Sequence, residues 1–121
     1  MKNEIGVLYV AVGNRYYVDQ ALISKRSIER FCDIQFAIVT DLEIDSSEWD
    51  HVIPYNVKVK LNANNYMIPK LYGLKNTPFV RTLFLDSDTF ILSDISTVFG
   101  LLDRFDGYIL ILPLFNLTLI F

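Results

Sequence analysis

Phe79-Val80-Arg81-Thr82-Leu83-Phe84-Leu85-Asp86-Ser87-Asp88 is the stretch on which the fold turns. From Val80 to Leu85 nearly every position is β-branched, aromatic or aliphatic. A run that is apolar on both faces reads as a strand buried inside a parallel sheet. It stops at two carboxylates separated by one small residue. Alternate residues of a strand point to the same side, so strand geometry continued through Ser87 would aim Asp86 and Asp88 one way. They would then stand at the carboxyl edge of the sheet, where open α/β sheets bind ligands. Carboxylates sharing a crevice repel one another unless a cation or a shared proton intervenes. Hard oxygen ligands favour Mg²⁺ or Mn²⁺, ions often shared with substrate phosphates. The alternative is a solvated strand end whose acidic residues serve a turn.

Working outward, Ile5 to Val12 reads as a first buried strand, closed by the turn pair Gly13-Asn14. Val18, Ala21, Leu22, Ile28 and Phe31 follow at helical spacing. Asp19, Arg26, Ser27 and Arg30 fall on the other side, which predicts an amphipathic helix packed on the sheet. Tyr16 and Tyr17 sit just past the turn, placed either to pack the helix start or to stack on a base. The turn is not Gly-x-Gly-x-x-Gly, so the dinucleotide fingerprint is absent. Gln35 to Thr40 is a second strand and ends at Asp41, a turn residue or a ribose contact. Leu42 to Asp50 reads as a short helix or loop anchored by Trp49. His51 to Tyr55 is a short third strand, with Pro54 at its end.

An asparagine-rich loop then leads to Met67-Ile68-Pro69-Lys70-Leu71-Tyr72-Gly73-Leu74-Lys75. Proline suits a first helical turn, and Met67, Leu71 and Leu74 would share one face. Lys70 lies where the helix dipole disfavours a cation. It is either an ordinary solvated lysine or one facing an anion. After the acidic pair, Thr89 to Leu92 is expected to continue extended. Ser93 or Asp94 would cap a helix carrying Ile95, Val98, Phe99 and Leu102. Gly107 to Phe121 has no charged side chain. It is shorter than the roughly 20 residues of a membrane span, and Tyr108 to Leu112 fits one more strand.

The chain has 121 residues, 52% of them hydrophobic, a net charge of −3, one histidine and one cysteine. These values bound one small α/β domain with a real core and give no electrostatic case for nucleic acid. A lone Cys32 excludes an internal disulfide. The short apolar run after Met1 is a poor signal peptide, so a cytoplasmic location is expected.

Taken in order, Tyr9 to Tyr17, Ala21, Pro69-Lys70-Leu71, Phe84 to Thr89, Asp94-Ile95 and Val98-Phe99 resemble the glycogenin-like family 8 glycosyltransferases. The resemblance runs from about Ile5 to Asp106. It implies a GT-A fold, a Rossmann-like mostly parallel sheet flanked by helices, and transfer of a sugar from a nucleotide donor, usually a UDP-sugar, with retention. By the same resemblance, Ala11, Gly13, Asn14 and Tyr17 would line the uridine pocket and Lys70 would neutralise the donor's phosphates. Asp86 and Asp88 would hold Mn²⁺ or Mg²⁺, with the Ser87 backbone near the ribose. No catalytic residue is assigned. The family's third metal ligand, a C-terminal histidine, has no counterpart after Asp88. The expectation is therefore a truncated, donor-binding half over residues 1–106 and a divergent apolar tail over 107–121. Weak donor binding, little transfer by the chain alone and self-association through the tail would follow. Two rivals stand beside this reading. Asp86 and Asp88 also resemble the nucleophile motif of haloacid-dehalogenase-like phosphatases, which require a later lysine that is absent after Asp88. The other rival is a non-catalytic nucleotide-sugar-binding or interaction module.

Overall fold

The computed structural model describes residues 3–104, 108–111 and 117–120. Strands β1 (Asn3–Val10), β2 (Gln35–Thr40), β3 (His51–Pro54) and β4 (Phe79–Phe84) are all parallel. Helix α1 (Arg15–Glu29) connects β1 to β2, and α2 (Ile68–Lys75) precedes β4. Two further strands, β5 (Tyr108–Ile111) and β6 (Leu117–Ile120), are antiparallel to their neighbours. The sheet order is β3-β2-β1-β4-β6-β5. The sheet is thus mostly parallel, and β1 and β4 pair directly, with Ile5 opposite Arg81 and Leu8 opposite Phe84. That pairing puts Gly13-Asn14 and Asp86 at the same edge. It is also where the strand order reverses, since the chain leaves β1 toward β2 on one side and returns as β4 on the other. Such a switch point opens a crevice at the strands' carboxyl ends.

Alternation along the strands divides the core into two layers. Val7, Tyr9 and Ala11 pack with Val18, Ala21 and Ile28 of α1, and with Phe36, Ile38, Trp49 and Phe99. Leu8 and Val39 face the other way, with Tyr55, Phe79 and Phe84, and Tyr72 and Leu74 of α2 close over them. Helices therefore cover both faces. Tyr9, Leu8, Ile28 and Phe79 are among the largest fully buried side chains. Each contributes about 1.5–3 kcal/mol relative to an exposed position. Helix α2 lies close against β1 because Gly73 has no side chain: a Cβ there would sit 2.7 Å from the Val10 Cγ2. Trp49 anchors its loop as expected, meeting the Tyr9 ring edge-on at 5.8 Å.

Several expectations need correction. Strand β4 ends at Phe84, and residues 86–89 form a turn closed by the Thr89 amide donating to the Asp86 carbonyl at 3.2 Å. Extended geometry does not run through the acidic pair to Leu92; the turn competes for the same backbone groups. Phe31 lies outside α1, because the chain tightens after Glu29 and the Phe31 and Cys32 amides both donate to the Ile28 carbonyl. Ser27 is buried, not solvated, since its hydroxyl donates to the Ser24 carbonyl and accepts the Ile91 amide. Leu71 is exposed, and α2 buries Pro69 and Gly73 instead, the close approach at Gly73 fixing which face turns inward. The segment Ser96–Asp103 is a 3-10 helix, not an α-helix. Gly100 and the β-branched Thr97 and Val98 weaken α propensity there. The N-cap is Ile95, not Ser93 or Asp94, although Asp94, one residue before it, accepts the Ser96 amide at 2.9 Å. Leu114 to Phe121 gave no sequence reading; its Leu117–Ile120 part pairs with β4 and separates it from β5.

Candidate functional site

At the switch point, the ends of β1, α1, α2 and β4 enclose a cavity of about 410 Å³, within the roughly 300–1,000 Å³ of small-molecule sites. It is lined by Val10 at the end of β1 and Val12 beyond it, Tyr17 and Gln20 of α1, Leu61 and Tyr66 of the loop before α2, Pro69 and Lys70 of α2, and Asp86, Ser87 and Asp88. Five of the eight residues singled out from sequence therefore meet here: Tyr17, Lys70, Asp86, Ser87 and Asp88. Ala11, Gly13 and Asn14 are not among its lining residues. Ala11 is fully buried in the α1 layer. Gly13 adopts φ 93°, and its amide donates to the Asp41 carboxylate at 2.9 Å. Asn14 caps α1 by accepting the Tyr16 amide, also at 2.9 Å. These residues build the turn that delivers Tyr17 to the cavity. Asp41 is accordingly a turn residue in this structure.

The acidic turn is held from behind. Thr89 is buried, and both its amide and its hydroxyl donate to the Asp86 carbonyl. The Thr89 hydroxyl is 2.9 Å from that of Ser24, which lies 2.7 Å from the Tyr9 hydroxyl. Burial pushes the Tyr9 phenol above its ordinary range, against the opposing hydrogen bond from Ser24, so the phenol stays protonated. This chain of hydroxyls ties β1, α1 and the acidic turn together. A buried network with every member partnered rigidifies what it touches. Sequence reasoning missed it because Tyr9, Ser24 and Thr89 are far apart along the chain.

Lys70 Nζ lies 3.0 Å from Asp86 Oδ1, with the two side chains 31% and 21% exposed. The ammonium is also 5.9 Å from the centre of the Phe84 ring. Asp88 is exposed. Two carboxylates against one ammonium leave an excess of negative charge in a partly desolvated cavity. Among the described residues no group of three or more His, Cys, Asp and Glu gathers to form a full protein cage. Two carboxylates with open positions suit an ion that keeps waters and binds substrate phosphates, as Mg²⁺ and Mn²⁺ do. Leu61 and Tyr66, also missed from sequence, are brought in by a turn built on asparagines. The Asn62 amide donates to the Asn65 side chain, and Asn65 Nδ2 donates to the Lys60 carbonyl. The run of asparagines was the available signal, since such side chains build turns by bonding nearby backbone.

Among solved structures, the chain is similar to TarS of S. aureus, a glycosyltransferase. The TM-score is 0.53, with 17% identity over 88% of this chain. The likeness is one of fold alone, α/β with a parallel four-strand sheet flanked by helices. The chain spans 20% of the length of TarS. No family model and no curated protein matches it. No helix among the described residues is long and apolar enough to cross a membrane.

Proposed function

We propose that the cavity binds the nucleoside diphosphate of a sugar donor, a UDP-sugar, together with Mn²⁺ or Mg²⁺ on Asp86 and Asp88. The observation that carries this reading is the convergence of Tyr17, Lys70, Asp86, Ser87 and Asp88 on one cavity at the switch point of a glycosyltransferase-like sheet. The roles divide by chemistry. Tyr17 and Tyr66 supply exposed aromatic faces for a base. Lys70 supplies an ammonium for the diphosphate, and the two aspartates supply hard oxygen ligands. A divalent ion held by Asp86 and Asp88 would offset the charge that sets the carboxylates against the diphosphate and would supply Lewis-acid stabilisation to a leaving phosphate. Lys70 adds a second positive group where that charge develops. Ser24 and Thr89 hold the acidic turn still. Donor binding is assigned to these residues; sugar transfer, with an acceptor supplied by a longer protein, is the activity that such binding would serve. Titration calorimetry of UDP with and without Mn²⁺ tests the reading. Manganese-dependent binding is expected, and binding of equal strength in a chelator would contradict it.

A further inference from the structure

The Lys70–Asp86 pair poses a question that donor binding alone does not answer. The lysine proposed for the diphosphate already sits on an aspartate proposed for the metal, at 3.0 Å. The metal competes with the ammonium for the carboxylate, and the diphosphate competes with the carboxylate for the ammonium. An ammonium on Asp86 Oδ1 opposes a divalent cation approaching the same oxygen, and a Lys70 held there offers phosphate only its remaining N–H donors.

The two partners are not equally fixed. Asp86 belongs to a turn whose carbonyl is held by the Thr89 amide and hydroxyl. Lys70 reaches the cavity on a flexible four-carbon stem from the first turn of an eight-residue helix. Both side chains line the cavity, so a ligand entering it meets the pair directly. The lysine is the partner whose stem can move, and an anion in the cavity gives its ammonium a second place to bind.

We propose that Lys70 is an exchangeable counter-ion. Resting on the reading of a diphosphate and metal site, it neutralises Asp86 in the free protein, moves to the diphosphate when the nucleotide enters, and so releases Asp86 to the metal ion. Nucleotide and metal then bind with positive coupling beyond what their direct contact supplies. The coupling is reciprocal by linkage, because each ligand removes part of the cost of displacing the lysine for the other. The metal alone binds weakly because Lys70 competes with it.

The test is calorimetric. Mn²⁺ is titrated into the chain with and without saturating UDP, and UDP with and without saturating Mn²⁺, for the unaltered protein, Lys70→Met, Lys70→Gln and the exposed control Lys75→Met. In the Lys70 variants, Mn²⁺ alone is expected to bind more tightly and UDP alone more weakly. The factor by which each ligand strengthens the other should fall by about fivefold or more. Lys75→Met should match the unaltered chain. Circular dichroism reports whether each variant is folded, and the second substitution covers a failure of the first. Equal tightening of Mn²⁺ with and without UDP would mean that Lys70 acts as a fixed neighbouring charge, and would overturn the switch while leaving the donor site standing. Unchanged coupling would do the same. An unaltered chain that binds no UDP in the presence of Mn²⁺ would overturn the donor site, and the switch with it.

Discussion

Two cavities of similar size flank the sheet, and each contains a lysine paired with a carboxylate. The one at the amino ends of β2 and β3 has a volume of about 450 Å³ and is lined by Lys25, Glu29, Phe36, Glu48, Trp49 and Asp50, among others. Lys25 is buried, 2.9 Å from Glu29 one helical turn away, and its ammonium also faces the Phe36 and Trp49 rings at 5.3 and 5.9 Å. Asp50 accepts the Phe36 amide and so ties β3 to β2. Glu48 lies 3.6 Å from the exposed Arg26 of α1. At the carboxyl edge, the Lys70–Asp86 pair joins α2 to the turn after β4, across 16 residues, and stays partly open to solvent. In the first pair the lysine is buried and only the carboxylate, Glu29, reaches solvent. The second is balanced only until a ligand with better partners arrives. Cavity volume does not separate the two; the lysine's setting does, since Lys25 is buried against two rings within reach of its own helix, whereas Lys70 bridges two elements at the carboxyl edge.

That contrast can be broken or sharpened by substitution. Outside the acidic pair, the largest effect is expected for Lys70→Met on UDP affinity, a loss of about 10- to 100-fold, the worth of a hydrogen bond to a charged group. Uridine affinity should hardly change, and calorimetry with the two ligands side by side checks this. Equal losses for both would return Lys70 to an ordinary solvated lysine. A smaller effect is expected for Thr89→Val, which removes the hydroxyl joining Ser24 to the acidic turn. It should cost about 1–2 kcal/mol in urea unfolding and weaken manganese-dependent UDP binding. Wild-type stability with intact binding would show that the hydroxyl chain does not hold the turn. The smallest effect is expected at the amino edge. Lys25→Met keeps the packed stem and loses the cation facing two rings, so stability should change by under about 1 kcal/mol, with UDP affinity unchanged. A large loss of UDP affinity in this variant would erase the distinction between the two edges.

Much of this arrangement was legible in the sequence, for reasons particular to each element. The apolar runs at Ile5 to Val12 and Val80 to Leu85 identified buried parallel strands because neither run left a polar face. Gly13-Asn14 and Pro69 marked a turn and a helix start because their backbone preferences are strong. The acidic pair reached its cavity by a different local geometry from the one expected, a turn in place of a continued strand. The place survived the error because β4 fixes where the turn begins. What was not legible depended on distant partners. Ser24 and Ser27 look like solvated helix residues until Thr89 and Ile91 are placed against them. Leu71 looks like a core position until the close packing of Gly73 on Val10 fixes the helix face. The insertion of β6 between β4 and β5 carried no local signal, since a strand's neighbours are not written in its own residues. The roles implied for Ala11, Gly13 and Asn14 rest on resemblance; in this structure Gly13 and Asn14 bond within the turn and the helix cap, and Ala11 packs in the core.

The most direct test of the donor site is manganese-dependent UDP binding in the unaltered chain beside Asp86→Asn and Asp88→Asn, by titration calorimetry, with circular dichroism to confirm that all three are folded. Both carboxylates line the cavity and neither lies in the core, so the substitutions should leave the fold intact. The account predicts binding in the unaltered chain that a chelator abolishes, and loss of that manganese-dependent binding in each variant. Folded variants that bind UDP with unchanged affinity would contradict it.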